Sequence, residues 1–352
     1  MSVFVVNCGS SSLKWSVVDV DSGVTLGSGT VQKVEDHAAA LGEVLEVAPL
    51  DAVEAVAHRV VHGGARFHEP ALIDDDVRRE LEALAELAPL HMAPALEAID
   101  EARRALPGVP HVAVFDTAFH ATIPEEAFTY AVPQRWREQW GIRRYGFHGL
   151  SVAWSAERVP VSRLVVCHLG GGCSVTAVLD GRSVDTTMGF SPLEGVPMAT
   201  RPGSIDPEIL LYLLRHGAAS ADELEHALEH DSGLLGLGGS SRVEELEASN
   251  EPAAQLALSV FCYRVAAAVA SLTAALGGLD AVVFTAGIGE GSALVRERVC
   301  GRLGFLGVGL DPDANGEARP DADVAAGDSR VRAWVVHARE DAIAARAARG
   351  VL

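Results

Sequence analysis

The chain opens on short apolar runs separated by turns of small residues. Residues 3–6 form a β-branched and aromatic run, Cys8-Gly9-Ser10-Ser11-Ser12 is a small-residue turn, and residues 13–20 alternate loosely before Asp21-Ser22-Gly23. This order predicts strand, turn, strand, turn, strand. The pattern returns roughly 160 residues later, with apolar residues 164–167, the turn Gly170-Gly171-Gly172, residues 174–179, the hairpin signal Asp180-Gly181 and a third run over 182–186. Residues 51–61 run into Gly63-Gly64, and residues 280–286 run likewise into Gly287-Ile288-Gly289. Two halves with the same order of elements imply an internal duplication. Helical spacing is found over 77–87, 93–106, 207–216, 221–230 and 253–276, with a short Ala/Arg helix over 340–349. Strands leading each half and helices following predict an α/β architecture.

Length and charge narrow the picture. The 352 residues suffice for roughly two domains, and no low-complexity linker divides them. The crossover is expected near residues 116–124, giving a first domain of residues 1–118 plus 341–352 and a second of 119–340, packed around a cleft. The formal charge of −20 excludes an extended basic surface for nucleic acid and polybasic anchoring to a membrane. The longest apolar stretch, 265–286, is broken by Ser271, Thr273, Gly277, Gly278 and Asp280, so it reads as a buried helix followed by a strand. Five widely spaced cysteines without a CxxC pair suggest neither zinc nor a disulfide framework. With no signal-like segment at the N-terminus, a reducing cytoplasm is the expected compartment.

Several segments carry chemistry. The first turn, through Ser10, Ser12 and Lys14, offers backbone, hydroxyls and one of only two lysines to phosphate oxygens. It joins strand to strand, which distinguishes it from a Walker A loop. His168-Leu169-Gly170-Gly171-Gly172 is its counterpart in the second half, and Gly287-Ile288-Gly289-Glu290-Gly291 follows a strand where backbone can approach a nucleotide. Asp116 follows the apolar run His111–Phe115, so it sits where α/β sheets place ligand-facing groups. Arg59 lies inside the apolar run of His58-Arg59-Val60-Val61-His62, where it needs an anion, either a carboxylate of the fold or a ligand. Arg143-Arg144-Tyr145-Gly146-Phe147-His148 mixes cations with aromatics, and the segment 185–195 leads to Thr200-Arg201-Pro202-Gly203.

Taken together, NCGSSSLK (7–14), HRVVHGG (58–64), APLH (88–91), FDTAFHATIP (115–124), RRYGFHG (143–149), HLGGGCS (168–174), DTTMGFSPLEG (185–195), DSGLLG (231–236), FTAGIGE (284–290) and EDAIAAR (340–346) resemble the acetokinase family, in family order over nearly the whole chain. The resemblance implies two duplicated ribonuclease H-like (actin-like ATPase) domains flanking a cleft. It also implies reversible phosphoryl transfer between ATP and acetate. Carried over by motif, Asp116, His148, Arg201 and Arg59 are catalytic, and Val61, Leu90, Phe147 and Pro192 join Arg59 in holding the acyl substrate. Asn7 and Glu340 bind Mg²⁺, with Mn²⁺ as an alternative. Ser10, Ser12, Lys14, His168 to Gly172 and Gly287 to Gly291 line the nucleotide. A homodimer is implied as well.

The departures from the family pattern lie on the nucleotide side. Gly171 stands where the family has Asn, Gly291 replaces the Asn after GIGE, and Ser240-Ser241-Arg242-Val243-Glu244 exchanges acid and base in a segment associated with the adenosine moiety. His337-Ala338-Arg339 replaces the usual Pro-Thr-Asn. The alternatives are a propionate-preferring acyl kinase, an acetate kinase using another nucleoside triphosphate or pyrophosphate, and a non-catalytic nucleotide-binding regulator.

Overall fold

A computed structural model of the chain describes residues 1–9, 12–87 and 89–352, with the backbone alone at 86, 87 and 89–91. Two compact units emerge. Unit 1 comprises Met1–Ala121, Phe147–Trp154 and Arg339–Leu352, and unit 2 comprises Thr122–Gly146 and Ser155–Ala338.

Unit 1 is built on six strands, β1 (Ser2–Cys8), β2 (Ser12–Asp19), β3 (Thr25–Gln32), β4 (Val53–Val60), β5 (Ala71–Leu72) and β6 (His111–Phe115), in the order β3-β2-β1-β4-β6-β5. Alternation along β1 covers both faces. Val3 and Val5 join Ala55, Ala57, Val112 and Val114 against Leu150 and the last helix, Glu340–Val351. Phe4, Val6 and Cys8 join Leu13, Val17 and Val56 against helices His37–Val47 and Pro89–Ala105. A strand buried on both faces reads as a continuous apolar run, which is why residues 3–6 are legible in the sequence. Helix His37–Val47 starts at Asp36, whose side chain accepts a hydrogen bond from Ala39 N at 2.8 Å and caps an otherwise unsatisfied turn.

Unit 2 carries β7 (Arg163–Leu169), β8 (Cys173–Leu179), β9 (Arg182–Thr186), β10 (Ala281–Thr285), β11 (Ala322–Asp323) and β12 (Arg332–Val335), in the order β11-β12-β10-β7-β8-β9. Its topology repeats that of unit 1. In each sheet the first three strands pair antiparallel, the first strand pairs parallel with the fourth, the fourth pairs parallel with the last, and a two-residue strand closes the edge antiparallel. Even the irregularity repeats: the register shifts at Val17/Val18 in β2 and at Ala177/Val178 in β8. The duplication inferred from sequence is therefore a duplication of topology and of register.

Helix Pro252–Leu276 is long and apolar enough to cross a membrane by length and composition. Here it packs against β7, β8 and β9, burying Phe261, Val265 and Val269. Residues 147–154 belong to unit 1, whereas the boundaries expected from sequence leave them in the second domain. The cause is local. Gly149 N–H donates to the Asp116 carbonyl at 3.0 Å, and a Cβ at position 149 would collide with that same carbonyl.

Candidate active site

In unit 1 three adjacent parallel strands, β1, β4 and β6, deliver their carboxyl ends to one edge of the sheet. That edge is where open α/β sheets bind ligands. Asn7 is in register with Arg59 on one side and with Lys14 on the other, so Lys14, Asn7 and Arg59 form a row across β2, β1 and β4. Asp116 follows β6 and is 1% exposed. The Arg59 guanidinium donates through Nε to Asp116 Oδ1 at 3.0 Å and through its second arm to Asp116 Oδ2. Its third arm donates to Asn7 Oδ1 at 2.8 Å, and Glu340 Oε2 lies 3.9 Å from Nε. Burial works against the Arg59 charge, but Asp116 and Glu340 more than offset it and its pKa is raised. The anion that Arg59 needs is thus supplied within the fold, in the fork geometry typical of strong Arg–carboxylate pairs.

Four histidines shape this edge. His37 at the start of its helix bonds through Nε2 to the Gly9 carbonyl at 2.9 Å, and Gly9 N–H closes the first turn onto Ser12 O at 2.8 Å. His120 is buried and bonds through Nε2 to the Phe147 carbonyl at 2.9 Å. Desolvation pushes the pKa of His120 down to about 4, so at neutral pH the ring is uncharged and donates from Nε2. It thereby fixes the residue preceding His148. His148 adopts φ +60°, a conformation that costs a non-glycine residue on the order of 1–3 kcal/mol and is held where the surroundings dictate it. Phe147 is fully buried and meets the edge of His62 at a centroid distance of 5.5 Å, and Val61 is also buried.

Unit 2 presents the second set. His168 and Leu169 end β7, and Gly170 N–H closes the turn onto Gly172 O at 3.0 Å, one residue tighter than the Gly9-to-Ser12 closure of the first turn. Gly171 O accepts from Ala199 N, which ties the turn to the segment before Arg201. Residues 286–291, which follow β10, fold into a short helix. It is fixed at several points. Arg296 donates to the carbonyls of Gly289 and Glu290 at 2.9 and 2.8 Å. The Glu290 carboxylate accepts from Ala286 N, Ala338 N and His337 Nδ1. Arg201 donates through Nε to Glu229 at 2.7 Å. Gly233, at φ +60°, lies so close to the Arg201 backbone that a side chain would displace it.

The other expected residues are distributed as follows. Pro192 is buried in the segment after β9. Arg242 and Glu244 are exposed, with Arg242 pairing to Glu245 at 3.4 Å, while Val243 is buried in the unit 2 core at 2% exposure. Ser10 and the side chain of Leu90 lie outside the described residues. Sequence reasoning missed His37, His120 and Glu229. Their partners lie 28, 27 and 28 residues away, so the sequence does not announce the pairings, although His120 itself lies in FDTAFHATIP.

The chain matches the model of the acetokinase family over residues 32–346. It is 40% identical to an acetate kinase from Natranaerobius thermophilus, with all of both chains covered. It is 43% identical to an acetate kinase from Deinococcus deserti, covering 100% of this chain and 98% of the relative. Among solved structures, a propionate kinase from Francisella tularensis superposes with a TM-score of 0.93 at 32% identity over the whole of both chains. The acetate kinase from Porphyromonas gingivalis superposes at 0.91, with 32% identity over 99% of each.

Proposed function

This chain belongs to the acetokinase family, and on that premise we propose that it is an acetate kinase. It is a phosphotransferase with a carboxyl acceptor, moving a phosphoryl group reversibly between ATP and acetate to give acetyl phosphate and ADP. The observation that carries this reading is the meeting of Asn7, Arg59, Asp116 and Glu340 at the carboxyl ends of β1, β4 and β6. Oxygen ligands and a preorganised guanidinium are what phosphoryl transfer needs, because its transition state spreads charge over equatorial oxygens.

Acetate is already an anion and needs no general base to attack phosphorus. Asp116 therefore serves to hold Arg59 and position the acceptor. On the family's pattern Arg59, Arg201 and His148 are the residues assigned to the transferring group, and Val61, Leu90, Phe147 and Pro192 those assigned to the methyl. Lys14, Ser10, Ser12, His168 to Gly172 and Gly287 to Gly291 face the nucleotide phosphates.

The donor set suits Mg²⁺. Among the described residues no group of three or more His, Cys, Asp or Glu side chains could hold a metal. Mg²⁺ is commonly held by one or two carboxylates, substrate phosphates and water. Asn7 and Glu340 would hold it, with Mn²⁺ acceptable to the same oxygens. When bound, the ion neutralises phosphate charge.

A second reading, a changed phosphoryl donor, draws on Gly171 and Gly291. Neither has a positive φ, and a Cβ at either would meet nothing within 4 Å. Packing does not demand glycine there, so both positions have room for the family's Asn and the second reading takes its absence to bear on the ligand. Helix Pro207–Arg215 supports the homodimer: it has no buried residue and exposes Ile209, Leu211, Tyr212 and Leu214, a face a second copy would cover. Trapping acetyl phosphate as the hydroxamate, with Mg²⁺ and ATP, GTP, CTP or pyrophosphate as donor, tests the reading. Acetyl phosphate from ATP supports it, and a faster rate with another donor would favour the second reading.

A further inference from the structure

The segment 185–195, which carries Pro192, is held by a node of three side chains in unit 2. Arg144 donates to the carbonyls of Thr187 and Met188 at 3.0 and 3.1 Å and to Glu194 Oε1 at 3.1 Å. Tyr145 N–H donates to Gly189 O at 3.0 Å. The Tyr130 hydroxyl donates to Glu194 Oε2 and accepts from Phe190 N–H at 3.0 Å. That one oxygen thus joins the two ends of the 190–194 turn. Glu194 and Tyr130 press so closely over Gly189 that any side chain there would collide with both. The charges facing the node are Arg144, Glu194 and Asp185, the last 4.0 Å from Arg144 Nε. With two carboxylates to one guanidinium, the node offers no spare positive charge to a substrate anion.

We propose that Tyr130, acting through Phe190 and Glu194, is a positioning residue that sets acyl-chain selectivity by holding the turn that carries Pro192. This rests on the reading of Pro192 as a wall of the acyl pocket. Acetate and propionate differ by one methylene, and a pocket discriminates a single methylene by only about 10–200-fold. The chain's similarity extends equally to a propionate kinase and an acetate kinase, at 32% identity each. Global fold therefore does not decide between the two acids, and a small retreat of one wall does. Tyr130 fixes that wall at both ends of its turn, and its removal leaves the Phe190 N–H without its acceptor.

The test is steady-state kinetics of wild type and Tyr130→Phe with acetate, propionate and ATP. In the variant the propionate-to-acetate ratio of kcat/KM rises about tenfold, KM for acetate rises, and KM for ATP stays within twofold. An unchanged ratio overturns the inference, as does a uniform loss across both acids and ATP, which is what a merely structural defect would give. Should Tyr130→Phe fail to fold, Arg144→Lys, which loses the fork onto Thr187, Met188 and Glu194, shifts the ratio in the same direction, and an unchanged ratio there overturns the inference equally. A wild type that makes no acyl phosphate from either acid refutes the proposed function and this inference with it. An active wild type with an unresponsive variant refutes the inference alone.

Discussion

Replacing Asp116 by Asn probes the unit 1 edge at its most buried charge. Asp116 is 1% exposed and takes two arms of Arg59, whose side chain is 15% exposed. Removing one partner of a buried pair costs about 3–5 kcal/mol, because the remaining charge stays desolvated. Two features lower that figure here. Asn retains one oxygen acceptor for the guanidinium. Glu340, 3.9 Å from Arg59 Nε, still attracts it by about 4 kcal/mol at an effective dielectric near 20. The expected net loss is about 2–3 kcal/mol. At roughly 2–4 °C per kcal/mol for a unit of this size, that is a fall in Tm of about 4–12 °C. Turnover in the hydroxamate assay should fall on the order of 10²–10³-fold, the scale of losing one preorganised electrostatic group. A double replacement of Arg59 and Asp116 by Leu should be closer to wild type in Tm than either single change, while remaining inactive. Near-normal turnover of Asp116→Asn would refute the catalytic assignment. An unchanged Tm would refute the picture of a buried pair holding Arg59.

Three further outcomes follow from the geometry. Arg201→Ala should lower kcat and kcat/KM together by about 10²–10³, and a rise in KM with kcat unchanged would contradict a transition-state role. His120 is uncharged in the fold, with its pKa near 4, but regains about 6.5 when unfolded, so the unfolded state binds more protons between those values. Its contribution is present above pH 6.5 and is lost as pH falls toward 4, by about 3 kcal/mol in all. Denaturant titrations should show a shallower slope in that window for His120→Asn, and an identical slope would contradict the burial argument. All five cysteines are buried and unpaired by disulfides, and burial pushes the thiols of Cys8, Cys173 and Cys300 up to about 12. A thiol reagent should modify the native protein slowly and all five sites on unfolding.

Much of the architecture is legible because the relevant signals are local. Apolar runs between glycine-rich turns locate β1, β2, β7 and β8, and their recurrence exposes the duplication. Ala221–His230 is readable to the residue because Ser220 and Glu223 form a capping box. Asp116 is legible from its place after an apolar run, since topology alone brings strand ends together. The positioning groups are not legible, for the opposite reason. His120 reaches Phe147, Arg201 reaches Glu229, and Tyr130 reaches Glu194 across 64 residues, and each pairing exists only once the chain has folded. The return of 147–154 to unit 1 is hidden likewise, because it depends on Gly149 lying flat on the Asp116 carbonyl. Val243 stands in a segment associated with nucleotide binding, and its side chain fills the core, which the segment's motif alone does not tell.

The central claim is that this chain transfers phosphate between a nucleotide and acetate. The most direct measurement is a matrix of kcat/KM with acetate and propionate against ATP, GTP, CTP and pyrophosphate. The account predicts acyl phosphate formation with its highest value for acetate and ATP. No acyl phosphate from any pairing, in a protein that still binds nucleotide, would contradict it and leave a binding protein in place of an enzyme.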